Sequence, residues 1–282
     1  MGRMIESVVS RLARPLPPRP TDTLPRLPTL EGIRAVLFDV YGTLLVSGSG
    51  DVGLTAEGDR GAAADAALQA LGLPLPDDPR QTGDRLLAAI AEEHERLKAE
   101  GVDFPEVRIE ELWRAIAPAA DAERLAIEYE MRVNPVDVMP GMTQTLDAIS
   151  GSGRPLGIVS NAQFFTPRLL EPLCGRTPRQ LGFEPDLCVW SYAHRRAKPG
   201  TFLYERAAEA LAGRGIAPRE TLYVGNDMRN DVWPAGRVGF RTALFAGDAR
   251  SLRLREADAD VAGVTADVVL TRLDQIPTVL GL

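Results

Sequence analysis

The sequence is poor in the residues from which several classes of protein are built. Its 282 residues include only two cysteines, Cys174 and Cys188, and two histidines, His94 and His194. Two cysteines cannot make a disulfide framework, and no Cys/His cluster has the spacing of structural zinc. Both cysteines are expected to pack as small hydrophobes, and a reducing, cytoplasmic compartment is the default for such a chain. No apolar run approaches the roughly 18 residues of a membrane span, so no membrane partner is expected. An excess of positive charge is missing too. The 32 basic and 39 acidic residues leave a net charge of −7, which offers nucleic acid no global attraction.

What is present is ordinary globular composition, 45% hydrophobic and 25% charged, with length for one large domain or two smaller ones. Residues 1–30 are set apart by proline. Met4 to Leu12 fits a short amphipathic helix, after which Pro15, Pro17, Pro18, Pro20, Pro25 and Pro28 forbid its continuation. This Pro/Arg-rich extension is expected to lie extended on the surface or to be disordered. It lacks the apolar stretch of a secretory signal. Glu6 and Asp22 weaken its likeness to an organelle-targeting peptide, and Glu6 stands where a myristoylation signal wants Ser or Thr.

From Glu31 the pattern changes. Ile33 to Phe38 is a short apolar run ending at Asp39 and reads as a buried parallel strand. Similar runs recur at Pro155–Ser160, Leu187–Ser191, Thr221–Val224 and Thr242–Phe245, separated by helical stretches at Gly141–Gly151, Thr201–Leu211 and Asp231–Arg237. That alternation predicts an α/β, Rossmann-like doubly wound parallel sheet, with all strand C-termini on one edge. Residues 48–135 break the rhythm. Ala62–Leu71, Asp84–Glu100, Glu110–Ile116 and Ala122–Met131 carry helical patterns, so an all-helical domain is expected to be inserted between 31–47 and 136–282 of the α/β core.

Polar groups follow four of these strands: Asp39-Val40-Tyr41-Gly42-Thr43, Ser160-Asn161, Lys198-Pro199, and Gly225-Asn226-Asp227-Met228-Arg229-Asn230-Asp231. Any one alone is a turn or a cap. Four in this order, each at a strand end, would meet where open α/β sheets bind ligands.

In this order the motifs resemble those of the haloacid dehalogenase-like hydrolase superfamily. The resemblance runs over about residues 31–282, includes Ala266–Leu270 as a last strand, and makes the helical insertion a cap. It implies that Asp39 is a nucleophile, ionised without help from a base. Thr43 would hydrogen-bond it, and Gly42 would permit the tight turn beside it. Ser160 and the Asn161 backbone would hold the transferred group, and Lys198 would orient Asp39. Mg²⁺ would be held by Asp39, the Tyr41 backbone carbonyl, Asp227 and Asp231. Two registers of that last loop are open, one through Asn226 and Asp231, the other through Asp227 and Asp231.

Tyr41 stands where the superfamily's phosphatases carry an aspartate acid, and it matches the 2-haloacid dehalogenase branch. Tyr204, six residues after Lys198, is compatible with that branch, but core packing is its expected role. The Asn/Asp-rich last loop looks like the metal-binding version. The sequence therefore implies a hydrolase with a covalent aspartyl intermediate. An Mg²⁺-dependent, phosphatase-like activity on a small anionic metabolite is the leading expectation. A metal-independent 2-haloacid dehalogenase is the rival. A fold-retaining binding protein is the alternative of another class, opposed by the intact motif set. His94 lies among Glu92, Glu93 and Glu95 on an amphipathic helix. A solvated histidine is the expected reading, and a cap residue facing substrate is the functional one. Arg108, Trp113, Arg132 and Asn134 are further cap residues with the same two readings. Nothing in the sequence specifies the substrate or the oligomeric state.

Overall fold

The computed structural model describes residues 2–49, 57–78 and 80–282. Its strands are β1 (Ala35–Phe38), β2 (Leu45–Ser47), β3 (Val136–Val138), β4 (Leu156–Ser160), β5 (Phe183–Trp190), β6 (Thr221–Gly225), β7 (Arg241–Phe245) and β8 (Val268–Leu270). Six of them form one sheet in the order β5-β4-β1-β6-β7-β8, every pair parallel. All four residues of β1 are buried, as expected of a strand covered on both faces. Phe38 of β1 lies opposite Ile158 on one side and Val224 on the other. The strand order reverses about β1, so Asp39, Asn161 and Asn226 leave the sheet together at its switch point.

The helices are α1 (Gly2–Leu12), α2 (Glu57–Ala70), α3 (Gln81–Ala99), α4 (Ile109–Ile116), α5 (Ala122–Val133), α6 (Met142–Gly151), α7 (Leu170–Cys174), α8 (Ser191–His194), α9 (Phe202–Ala212), α10 (Trp233–Val238) and α11 (Ile276–Val279). Met142, Leu146 and Ile149 of α6 and Ile276 and Val279 of α11 cover one face of the sheet with Val36 and Phe38. Leu203, Tyr204, Ala207 and Leu211 of α9 cover the other with Ala35, Leu37 and Tyr223. Helices α2–α5 all fall between β2 and β3. Those two strands pair antiparallel, with Leu45 opposite Val138, so the chain leaves for the helices and returns from them side by side.

The N-terminal extension is ordered by specific contacts. Helix α1 buries Ile5, Val8 and Val9 completely or nearly so and packs against both α5 and α7. The Pro-rich stretch after it has little secondary structure of its own, yet it is pinned along its length. Leu16 N donates to Asp137, Arg19 N to Asp248, and the Thr21 hydroxyl to the Ala246 carbonyl. Arg26 exchanges backbone hydrogen bonds with Val269 on edge strand β8. The segment is thus extended on the surface, one of the two courses expected of it, and is held there by these contacts. Its apolar helix face supplies burial, and its prolines leave carbonyls and spare N–H groups that the core binds.

Candidate active site

The site begins with β1. Asp39 N donates to the Val224 carbonyl, carrying the ladder one residue past the strand and fixing the Asp39 backbone between β4 and β6. Lys198 arrives from the segment after β5 and α8. Its backbone N–H donates to Asn161 Oδ1 at 2.8 Å, and Asn161 Nδ2 donates back to its carbonyl at 3.4 Å. The Asn161 side chain therefore ties the β4 and β5 loops together. Lys198 Nζ then donates to Asp39 Oδ1 and Asp231 Oδ1, each at 2.6 Å, and to the Tyr223 hydroxyl at 3.1 Å. All three charged side chains are buried.

Electrostatics follow from that burial. Desolvation, opposed by Lys198 and assisted by Asp231, raises the Asp39 carboxyl to about 6. Asp39 is therefore mostly ionised at neutral pH. Burial alone would lower the Lys198 pKa, but Asp231 and Asp39 outweigh it and the net shift is upward. The lysine stays charged between its two carboxylates.

The last loop shows which register the chain uses. Asn226 lies beside the nucleophile loop: Thr43 Oγ1 donates to its Oδ1 at 3.1 Å, and its Nδ2 donates to the Ser251 carbonyl. Asp227 turns away. Its carboxylate caps the single π-helical turn Met228–Val232 through Arg229 N and Asn230 N and is held by Arg255 Nη2 at 2.7 Å. Asp231 returns to the centre, where its Oδ2 accepts from Asp227 N. Glycine is required at two points. A Cβ on Gly225 would lie 2.3 Å from Asp231 Cγ, and one on Gly42, at φ +81°, would lie 2.5 Å from Ser251 Cβ.

A cavity of about 440 Å³ opens above Asp39 between sheet edge and inserted helices. Leu86, Ile90, Val107, Ile109, Val133 and Phe165 give it mostly apolar walls. Phe104 and Glu106, in the α3–α4 loop, share backbone hydrogen bonds with Ala197 and Arg195 just before Lys198, so this loop closes one side.

A family model described as haloacid dehalogenase-like hydrolase matches residues 33–239. The chain belongs to the haloacid dehalogenase-like hydrolase family. Among curated proteins it is similar to a phosphoglycolate phosphatase of Shigella boydii, 29% identical over 74% of this chain and 79% of that one. One from Escherichia coli O157:H7 is 26% identical over the same shares. Solved structures of similar fold include a HAD phosphatase from Thermococcus onnurineus, with TM-score 0.51 and 21% identity over 88% of this chain and 98% of that one. A 2-haloacid dehalogenase from Pseudomonas syringae has TM-score 0.52 and 19% identity over the same shares.

Set against the family's motifs, several side chains of this hydrolase sit differently from expectation. Thr43 bonds Asn226 instead of the nucleophile, because Asn226 is packed directly behind Gly42. The Ser160 hydroxyl, 3.2 Å from the Asn161 carbonyl, also lowers the Asp39 pKa by hydrogen bonding. The Asn161 side chain holds Lys198. The Tyr41 hydroxyl pairs with Thr166 Oγ1 at 2.9 Å. Tyr204 is buried edge-to-face on Tyr223, with its hydroxyl donating to the Asn230 carbonyl, so packing is its role. His94 is half-buried and lines the cavity, and partial burial lowers its pKa. Trp113 is buried against Tyr129, Arg132 pairs with Glu128, and Arg108 pairs with Glu111 at the surface.

Magnesium was expected on Asp39, the Tyr41 carbonyl, Asp227 and Asp231. The side chains of the last loop do not fit it. Asp227 is taken by Arg255 and backbone N–H groups. Asp231 has one oxygen on Lys198 and the other on Asp227 N. Asn226, in the place a metal-binding acid would take, offers a neutral amide already bonded on both sides. Among the described residues no group of three or more His, Cys, Asp or Glu side chains is arranged to hold a metal. A hard divalent cation needs oxygen donors free to reach it.

Two residues were not legible as site residues in the sequence, Glu106 and Glu130. Both lie on the cavity wall, and burial raises each carboxyl to about 7. Acidic residues in a charged helical insertion read as solvated surface; only the packing of α5 and the α3–α4 loop over Asp39 sets them apart.

Proposed function

We propose that this hydrolase uses Asp39 to displace an anionic leaving group from a small, mostly apolar organic acid. A covalent ester on Asp39 forms and is then hydrolysed, with no resident divalent cation. A 2-haloalkanoic acid is the substrate class this reading names. The observation that carries it is the charge balance at Asp39: Lys198 is shared between Asp39 and Asp231, while Arg255 answers Asp227. The buried trio keeps one formal negative charge. A phosphate dianion approaching it is repelled, strongly so at low dielectric. A carbon electrophile brings at most the single charge of its carboxylate.

The leaving group follows from Tyr41. Burial, then the nearby Glu130 charge, pushes its phenol pKa far upward, so it is a poor acid for a basic alkoxide. Halide departs without a proton. Lys198 holds Asp39 Oδ1, and the other carboxylate oxygen is the one that would attack. Phosphatase-like turnover of an activated phosphate through the same aspartate is the second reading. It is supported by the two curated relatives described above, each named a phosphoglycolate phosphatase.

The test is halide release from 2-chloropropionate beside phosphate release from p-nitrophenyl phosphate, each with EDTA and with added Mg²⁺. Halide release undiminished by EDTA is expected. Phosphate release that requires Mg²⁺, with no halide release, overturns the proposal.

A further inference from the structure

The loop after β4 serves Asp39 in two ways. Its Asn161 side chain holds the Lys198 backbone on both sides, and Ser160 and the Asn161 backbone are the groups that the family resemblance assigns to the substrate. Such a loop needs anchors of its own, because each buried N–H must find a partner. The inserted helices supply them from the α3–α4 loop. There Glu106 Oε2 accepts from the Ser191 hydroxyl at 2.8 Å, and its Oε1 accepts from Val107 N at 2.9 Å and Gln163 Nε2 at 3.1 Å. The buried Ser191 hydroxyl has one proton and two lone pairs. With the proton on Glu106, its oxygen faces Ala162 N, which donates to it at 2.8 Å. The Ala162 carbonyl, at 3.2 Å, is the more distant acceptor for that proton. Gln163 completes the grip. Its Nε2 also donates to the Val107 carbonyl and its Oε1 accepts from Ile109 N, each at 3.1 Å. Its backbone N–H donates to Thr166 Oγ1, the partner of the Tyr41 hydroxyl.

We propose that Glu106 is a positioning residue: from the inserted helices, and through Ser191 and Gln163, it sets the loop Ser160–Gln163 that holds Lys198 and the substrate beside Asp39. Every link is a direct hydrogen bond. Glu106 fixes Ser191, Ser191 fixes Ala162 N, and Asn161, the residue before, carries Lys198 to Asp39. A carboxylate suits the place because both oxygens accept and the three groups that meet them all donate. Burial raises its carboxyl to about 7 against the pull of those three hydrogen bonds, so the charged form prevails above neutrality. An amide there keeps the connections in another polarity. Its oxygen accepts from Val107 N and Gln163 Nε2, and its NH₂ donates to Ser191 Oγ. The Ser191 proton then turns to the Ala162 carbonyl, and a lone pair remains for Ala162 N. Glu106→Ala cuts all three bonds; Glu106→Gln preserves the chain.

The substrate-holding part of this inference rests on the proposed function; the anchoring of the loop does not, and the two are read separately. Amide exchange in the peptide over residues 160–166, followed by mass spectrometry at about pH 8, above the Glu106 value, needs no substrate. It should speed up about tenfold or more in Glu106→Ala and in Ser191→Ala, while β7 exchanges as in wild type. Ser191→Ala carries the same test if Glu106→Ala does not fold. Kinetics then use whichever probe the wild-type protein turns over, 2-chloropropionate or p-nitrophenyl phosphate. In Glu106→Ala kcat should fall about 10²-fold, the cost of a displacement on the order of 1 Å. KM should stay within about threefold, since the apolar walls still bind the substrate. Glu106→Gln should keep kcat within about tenfold of wild type. The double variant Glu106→Ala/Ser191→Ala should lose no more than Glu106→Ala alone, because the two act in series. Unchanged exchange over 160–166, a rise shared equally by β7, wild-type kcat in Glu106→Ala, a loss in Glu106→Gln as large as in Glu106→Ala, or losses that multiply in the double variant would each overturn the assignment. Faster exchange confined to 160–166, with neither probe turned over by the wild type, would sink the reaction class and leave the anchoring intact.

Discussion

Replacing Lys198 with methionine probes the electrostatic account most sharply, because the lysine touches both carboxylates and keeps Asp39 ionised. Its charge acts on Asp39 from a buried 2.6 Å contact. With an effective dielectric near 20, one charge at about 4 Å contributes about 4 kcal/mol. At 1.36 kcal/mol per pKa unit that is a shift of about 3 units. The Asp39 carboxyl starts at about 6, so in Lys198→Met it moves to about 9 by the same arithmetic. At pH 7 about one molecule in a hundred then holds an ionised nucleophile, and kcat/KM falls about 10²-fold from ionisation alone. The sign is fixed: activity needs the carboxylate, so the acidic limb moves to higher pH and alkaline buffer restores part of the lost rate. The assay is kcat/KM against pH for wild type and variant, with the melting temperature recorded beside it, since breaking a buried pair costs about 3–5 kcal/mol. An acidic limb that stays near its wild-type position in a folded Lys198→Met protein would mean that Lys198 does not set the Asp39 ionisation.

Other outcomes follow from the same geometry. Asp39→Asn should abolish turnover while leaving far-UV circular dichroism unchanged, because an amide at this position cannot form the ester; residual turnover at the wild-type rate would place the nucleophile elsewhere. Tyr41→Phe removes only the hydroxyl that pairs with Thr166, so kcat/KM should stay within about tenfold, in line with one neutral hydrogen bond; a loss above about 10²-fold would make the phenol a proton donor after all. Ile5→Ala should cost about 2–5 kcal/mol by denaturant titration, since Ile5 is fully buried between α1 and its neighbours; an unchanged midpoint would return the segment to the status of a surface tail.

The sheet was legible because its strands are nearly continuous apolar runs. Ile33–Phe38 and Pro155–Ser160 needed trimming by two residues and one residue at their N-terminal ends, and β5 extends four residues earlier than its apolar end suggests. Phe183–Trp190 contains the exposed residues Pro185 and Asp186 at a register shift beside β4, which hides that part of the strand from a periodicity argument. The centre of the site, Asp39, Lys198 and Asp231, was also legible, since its motifs follow successive strands in the order that the family resemblance rests on. The direction of Asp227 was not. It depends on one π-helical turn and on Arg255, 28 residues further along, and neither is written in the local pattern. Glu130 was hidden for the opposite reason. Its helix carries charge on several faces, and only tertiary packing turns one of those charges into a cavity wall.

An ester on the Asp39 carboxyl that breaks by attack on its own Cγ, without a divalent cation, sends the oxygen of water into the enzyme and not into the product. A single turnover of 2-chloropropionate in oxygen-18 water, with enzyme in excess and EDTA present, tests it directly. The predicted result is heavy oxygen in the Asp39-containing peptide and ordinary oxygen in the released hydroxy acid. Heavy oxygen in the product with an unlabelled Asp39 peptide would rule out the ester.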